Sequence, residues 1–417
     1  MSVSETVEVT GHLMDSGVLA RILDDVLEYG ADYSIERLDV GRTHDDESSA
    51  QINVETADPE SLARLLMRLQ AHGVNTVEPG AAFTRIAPRD GVFPDDFYST
   101  TNLETVVHLS GSWVPVEQPE MDCGLLVTGS RVRTIPVCDV REGDEIICGA
   151  AGIRVVLPPR EHSAHSGARP GSEAFGFMSS LVSSEKPQAL QVRQIASRIR
   201  DVKGDGGRVL WVAGPALVHT GAVAPMVALI NAGFVDVLFA GNALATHDIE
   251  ASLFGSSLGV DLAGGRGVEH GHEHHIRAIN TVRREGSIAA AVASGVVTSG
   301  IMHAMVTHGK HYVLVGSVRD DGPLPDVYTD VMQGQRAMRS ALRGVGLTIM
   351  VATMLHSIAT GNLLPASVPL VAVDINPATV TKLADRGSSQ AVGMVTDIGL
   401  FMEQLATELV SDYAGQR

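Results

Sequence analysis

Leu347-Thr-Ile-Met-Val-Ala-Thr-Met-Leu-His-Ser-Ile-Ala-Thr-Gly361, followed by Leu370-Val-Ala-Val-Asp-Ile-Asn-Pro377, carries the fold of this chain. A near-continuous run of Leu, Ile, Met and Val suits a strand buried on both faces, and such strands belong to parallel sheets covered by helices. A polar turn and a helical stretch come next, with His356 near the helix start, and a second buried strand closes on Asp374. The same alternation recurs outward from this stretch, with strand-like runs at residues 209–213, 235–240, 311–316 and 391–396. The pattern predicts an α/β protein whose C-terminal half, residues 176–417, is a Rossmann-like doubly wound parallel sheet. Ligands of such sheets sit beyond the carboxyl ends of the strands.

Upstream the pattern changes. Residues 1–105 alternate strand-like and amphipathic helical stretches, which predicts a small α+β domain of ferredoxin-like type. Residues 106–175 hold short β runs punctuated by Gly and Pro, a β-rich subdomain followed by a Ser-, Gly- and His-rich loop at 161–173. The chain, at 417 residues, is longer than one core usually serves, in keeping with several domains. With 49 acidic against 31 basic residues the formal charge is −18, which excludes nucleic acid and anionic membrane surfaces as partners. Cys123, Cys138 and Cys148 are too few for a disulfide framework and point to a reducing cytoplasm. Neither a signal peptide nor a membrane-spanning run is expected. A small-molecule ligand is the expected partner, and a homo-oligomer, dimer or tetramer, the expected assembly.

The polar residues of interest fall where the strands end. Ala213-Gly-Pro215 is a strand-to-helix turn whose N–H groups suit a phosphate, and a plain turn reads equally well. Asn242 opens a segment dense in donors and acceptors, which suits either a ligand or helix capping. Residues 319–326 crowd Arg319, Asp320, Asp321 and Asp326 into one loop, where adjacent acids repel and can form a proton acceptor; a solvated acidic loop is the alternative. Asp374 suits the ribose hydroxyls of a dinucleotide, and an acid there disfavours a 2′-phosphate. Asp397 ends the next strand, with capping of the following helix as its alternative. Gly264-Gly-Arg-Gly267 does not follow a clear strand and fails the dinucleotide fingerprint. His270, His272, His274 and His275 lack a Cys or carboxylate pair at ligand spacing, and no metal site is expected.

Four stretches together carry a family resemblance: Val212-Ala-Gly-Pro-Ala-Leu-Val-His-Thr-Gly221, Ala240-Gly-Asn-Ala-Leu-Ala-Thr-His-Asp-Ile-Glu250, Arg319-Asp-Asp-Gly-Pro-Leu-Pro-Asp-Val327 and Ala352-Thr-Met-Leu-His-Ser-Ile-Ala359. They resemble the archaeal and cyanobacterial type of ornithine cyclodeaminase, whose members also carry the lysine-oxoglutarate reductase/saccharopine dehydrogenase (LOR/SDH) label. Its nucleotide domain is similar to the deoxyhypusine-synthase type of NAD fold. The resemblance extends to Ser183-Ser-Glu-Lys-Pro187 and Val373-Asp-Ile-Asn-Pro-Ala378.

It implies that NAD is the cofactor and that Asn242, Ala243, Asp321, Thr353, Met354, Leu355, His356, Asp374 and Asp397 line its site. The implied reaction turns ornithine into proline and ammonia by transient hydride transfer, which needs a base for the amine, a cation for the carboxylate and a closed pocket. Asp321 is the first choice for the base, with Asp320 or His356 next. Arg319 or Arg133 would meet the carboxylate. A related diamino-acid substrate, a saccharopine-type dehydrogenase and a noncatalytic NAD-binding sensor remain as alternatives.

Overall fold

The computed structural model describes residues 2–13, 17–42, 46–70, 72–77, 80–156, 188–257, 260–261, 274–320, 322–386 and 391–413. The chain divides into two compact units, Met1–Arg169 with Asn362–Ser367, and Pro170–Gly361 with Val368–Arg417.

The first unit begins with β1 (Val3–Gly11), α1 (Val18–Glu28), β2 (Asp32–Asp39), β3 (Ser48–Thr56), α2 (Pro59–Gln70) and β4 (Asn75–Thr76). Its sheet order is β2-β3-β1-β4, with every neighbouring pair antiparallel, the ferredoxin-like arrangement predicted from the alternation. The strand period of two decides which side is covered. Val7, Val9, Ile52 and Val54 are buried with Ile22, Val26, Leu65 and Leu69, while Glu8 and Thr10 occupy the opposite face of β1.

The chain continues into β5 (Phe83–Ile86), β6 (Glu104–Leu109), β7 (Ser112–Glu117), β8 (Gly124–Thr128), β9 (Arg131–Ile135), β10 (Glu145–Cys148) and β11 (Ile153–Val156). These pair in the order β11-β6-β7-β9-β8-β10-β5, antiparallel except for β7 with β9. Asn75 joins the two sheets, because its side chain accepts from Val155 N at 2.7 Å and donates to Val155 O at 2.9 Å.

The second unit runs α3 (Gln188–Gly204), β12 (Arg208–Ala213), α4 (Ala216–His219), α5 (Val223–Asn231), β13 (Val237–Gly241), α6 (Asn242–Phe254), β14 (Ser256–Ser257) and β15 (Val260–Asp261). It continues through α7 (His274–Glu285), α8 (Ile288–Ala293), α9 (Ile301–Thr307), β16 (His311–Val315), β17 (Val327–Tyr328), α10 (Val331–Ala341) and β18 (Val345–Val351). Last come α11 (Leu355–Leu363), β19 (Leu370–Asp374), α12 (Pro377–Arg386), β20 (Ala391–Val395) and α13 (Ile398–Leu409).

Its main sheet has the order β17-β16-β13-β12-β18-β19-β20 and is parallel throughout. The chain starts at the centre with β12, walks outward to β17, and returns beside β12 at β18 before walking the other way. The strand order therefore reverses between β12 and β18, the position at which sheets of this kind bind their ligands. Strands β12 and β13 are buried on both faces, which is why they read as continuous apolar runs rather than alternating ones.

Candidate active site

Strand register sets the site. Gly241 pairs with Val315, Ala240 with Ala213, Ala213 with Val351, Val351 with Val373 and Asp374 with Val395. One level across the carboxyl edge therefore reads Val315, Gly241, Gly214, Ala352, Asp374, Val395. Three adjacent strands end in residues with no side chain or a methyl, and an acid stands beside them. At the usual strand spacing the distance from Gly241 to Asp374 is about 14 Å. The missing side chains leave room for other parts of the protein to approach the strand ends closely: the Ala352 main chain at Gly214 and the His356 ring at Gly241.

The two turns at the reversal are packed against each other. A Cβ on Gly214 would stand 1.9 Å from the Ala352 carbonyl oxygen, so this position excludes every side chain. Gly214 N donates to Val351 O at 3.0 Å, and Ala352 N donates to Val373 O at 3.1 Å. Ala352 itself is left-handed, with φ 52°. For an L-residue that conformation costs about 1–2 kcal/mol, and such strain persists where the surroundings impose it. Ala352 starts the turn into α11, and Asp374 ends the next strand, the relative placement of phosphate turn and ribose acid in dinucleotide folds. Thr353 is half-buried, Met354 and Leu355 are exposed, and α11 presents its N-terminus at this turn.

His356, in the first turn of α11, reaches back across the edge. Its Cε1 would lie 3.2 Å from a Cβ at Gly241, and its ring hydrogen-bonds the Val315 carbonyl. Burial holds its pKa below the usual 6.5 against the smaller raising effects of that hydrogen bond and of the Asp320 carboxylate. The imidazole is therefore neutral near pH 7.

The loop after β16 is anchored to the sheet. Asn242 is buried, and its Oδ1 accepts from Leu324 N at 3.0 Å and from the Thr246 hydroxyl at 3.3 Å. Arg283 donates to the Pro323 carbonyl at 2.9 and 2.6 Å. Asp326 accepts from Tyr312 Oη at 3.1 Å and from Ile288 N at 2.8 Å, which commits both its oxygens. Asp320 accepts from Ser317 N at 2.8 Å and is half-buried, and Arg319 is exposed. Asp321 lies outside the described residues. Ala243 sits half-buried in the first turn of α6.

At the other end of the edge, Asp374 Oδ1 accepts from Asn376 N at 2.8 Å, and Asn376 in turn caps α12 through Ala378 N at 3.0 Å. Asp397 caps α13 by accepting from Leu400 N at 2.9 Å, the alternative its sequence context allowed. Arg133 belongs to β9 in the first unit, where it donates to the Thr134 carbonyl at 3.3 Å. His270 and His272 lie outside the described residues. His274 opens α7, bonded to Ser256 Oγ at 2.6 Å, with its ring stacked on Phe254.

Sequence reasoning missed why the segment after Asn242 is so polar. Helix α6 is buried on most of its faces, so its polar groups require partners inside the protein. Asp248 is fully buried and accepts from Ile301 N and Met302 N, both at 2.8 Å, which caps α9. Burial pushes its carboxyl up to about 6. Gly300, at φ 98°, makes room for that carboxylate. Glu250 accepts from Ser256 Oγ at 3.1 Å and pairs with His247 Nδ1 at 2.9 Å. The signal was available in the absence of an apolar stripe, since a helix polar and apolar all round is buried or bridging rather than amphipathic.

A parallel sheet with a strained turn at its reversal and an acid one strand away defines a Rossmann-type protein of dinucleotide-binding build. Residues 193–405 match the model of the C-terminal Rossmann fold of arginine dihydrolase ArgZ-like proteins, 104–192 the first region of that C-terminal part, and 4–103 the LOR/SDH bifunctional enzyme conserved region. The ornithine cyclodeaminase of Methanothermobacter thermautotrophicus is 50% identical over 405 residues, 97% of either chain. The chain belongs to this ornithine cyclodeaminase family. Apo ArgZ, a cyanobacterial arginine dihydrolase, superposes with a TM-score of 0.84 at 33% identity over 98% of this chain. AgrE, in a ternary complex with ornithine and NAD+, does so with a TM-score of 0.53 at 37% identity over 99% of this chain. This chain spans 58% of that ArgZ chain and 59% of that AgrE chain.

Proposed function

We propose that the chain is an NAD-dependent ornithine cyclodeaminase, acting in the cytoplasm as a homo-oligomer, that converts L-ornithine to L-proline and ammonia. The observation that carries the reading is the level row Gly241, Gly214, Ala352, Asp374 at the sheet reversal. The Ala352 turn at the start of α11 suits a pyrophosphate, and the acid one strand away suits two ribose hydroxyls. Thr353, Met354 and Leu355 would flank the phosphates at the α11 N-terminus. Ala243 and Asn242 would border the nicotinamide end, and Asp397 the adenosine end.

When bound, the nicotinamide supplies a hydride acceptor that returns the hydride within the same turnover. The residues of this chain do the rest. His356, neutral and hydrogen-bonded to the Val315 carbonyl, would take a proton at the nicotinamide half of the row, and Asp321 or Asp320 is the alternative acceptor for the α-amine proton. Arg319 would hold the substrate carboxylate. The net reaction loses one ammonia and leaves the cofactor unchanged.

The test is to incubate the purified chain with NAD+ and L-ornithine, then with other diamino acids, and to assay ammonia, proline and NADH together. Equimolar ammonia and proline without net NADH is the expected result. Accumulating NADH would replace the reading with a dehydrogenase, and binding without turnover would replace it with a sensor.

A further inference from the structure

The first unit holds a cavity of about 460 Å³ that the reading above does not use. Its size lies within the range of small-molecule sites. Glu8 from β1, Glu47 before β3, Trp113 from β7 and Arg154 from β11 line it, and Asn75 forms part of its wall.

Arg154 is held in place from one side only. Its guanidinium lies 5.0 Å from the Trp113 ring centroid, a cation–π distance. The Trp113 ring is 5.1 Å from the His108 ring, and His108 Nδ1 is fixed 2.8 Å from the Gly80 carbonyl oxygen. The head group is thus backed by a stack that ends on the main chain. Glu8 stands 3.8 Å from the guanidinium, too long for a hydrogen bond. Arg154 Nε is buried and has no hydrogen-bond partner among the described residues.

Asn75 keeps the wall rigid, since its amide is fully engaged by Val155 and Gly73. An immobilised guanidinium with unused donors is prepared for a carboxylate, which it can take in a two-pronged grip. Glu8 and Glu47 then supply two negative charges on the other walls. One cation and two anions are the mirror image of a molecule with one carboxylate and two cationic groups.

We propose that this cavity binds a basic L-α-amino acid, with the α-carboxylate on Arg154 and the two cationic groups at Glu8 and Glu47. The site is built wholly from the first unit and does not depend on the nucleotide crevice.

The full chain, free of NAD, is titrated calorimetrically with L-arginine, L-ornithine and L-glutamate, and NAD+ affinity is measured on the same samples. The basic amino acids bind and L-glutamate does not. Arg154→Gln and Glu8→Gln, made separately so that neither relies on the other's folding, each weaken L-arginine binding by about tenfold or more. NAD+ affinity stays within about twofold, because the substituted residues share no partner with the crevice. Absence of a binding heat in the unaltered protein, or L-arginine affinity in both variants unchanged from that of the unaltered protein, overturns the proposal. Failure of the cyclodeaminase reading would show differently, as missing ammonia release with this binding intact.

Discussion

The turn after β12 and the turn after β18 meet at the same point of the sheet, and only the first contains a glycine. By sequence the glycine-bearing turn looks like the better phosphate cradle. Geometry reverses the order, because Gly214 is small to admit the Ala352 carbonyl, whereas the turn carrying the backbone strain and feeding a nine-residue helix is the one without glycine. A glycine at a strand end thus reports what must come close to it, which here is another strand's backbone. On the proposed reading, the ligand-facing role falls to the neighbour that the glycine makes possible.

Gly214→Ala should have the largest effect. Its Cβ must displace the Ala352 main chain, so we expect a loss of about 3 kcal/mol or more in urea unfolding, together with loss of NAD+ binding. A stable variant with normal NAD+ affinity would break the comparison between the turns.

A second close approach, Gly300 to Asp248, serves as the structural control. Asp248→Ala strands two N–H groups at the start of α9 and should cost about 2–4 kcal/mol with NAD+ affinity intact. The pH dependence has a definite sign. The folded-state carboxyl is raised to about 6 from the ordinary 3.8, so ionisation is harder in the folded protein. Its contribution to stability is complete below pH 3.8 and is lost as pH rises to about 6, and the variant should lack that decline.

Asp374→Ala should weaken NAD+ binding by about 10- to 100-fold in a fluorescence titration and leave the unfolding midpoint nearly unchanged. Ala352→Gly relieves the left-handed conformation and should raise stability by roughly 0.5–1 kcal/mol, the net of lost strain and added chain entropy. Destabilisation would mean that the turn is not strained. The smallest effect sits on the pH profile. His356 has a folded-state pKa below 6.5, so its neutral form persists as pH falls. The acid limb of kcat/KM should have its midpoint below 6.5 and should disappear in His356→Asn; a limb above 6.5 assigns the proton to another group.

Much of this was legible in the residues. Strands buried on both faces announced the parallel sheet, and Asp374 could be placed at a strand end because the apolar run stops there. Register was not legible, since a run of Val and Ala does not say which residue of the next strand lies level with it. For that reason Gly214 and Ala352 could not be paired in advance. The polar residues of α6 misled for a related reason. Asp248 satisfies N–H groups on α9, 53 and 54 positions later, and Glu250 a hydroxyl on β14, six positions later past the end of the helix, and nothing in the sequence distinguishes such partners from a ligand. Asp397 shows that a carboxylate after a strand is ambiguous until the N–H groups ahead of it are located.

Asn75 has a consequence for how the first unit came to be inherited. It hydrogen-bonds Val155, eighty positions later, with both its carbonyl and its amide, and Gln70 donates to the Ile153 carbonyl nearby. A gene fragment ending near residue 103 would leave these groups facing water and the β4 edge bare. The two sequence regions that abut there are therefore a single cooperative folding unit, which neither recombination nor truncation can separate without loss.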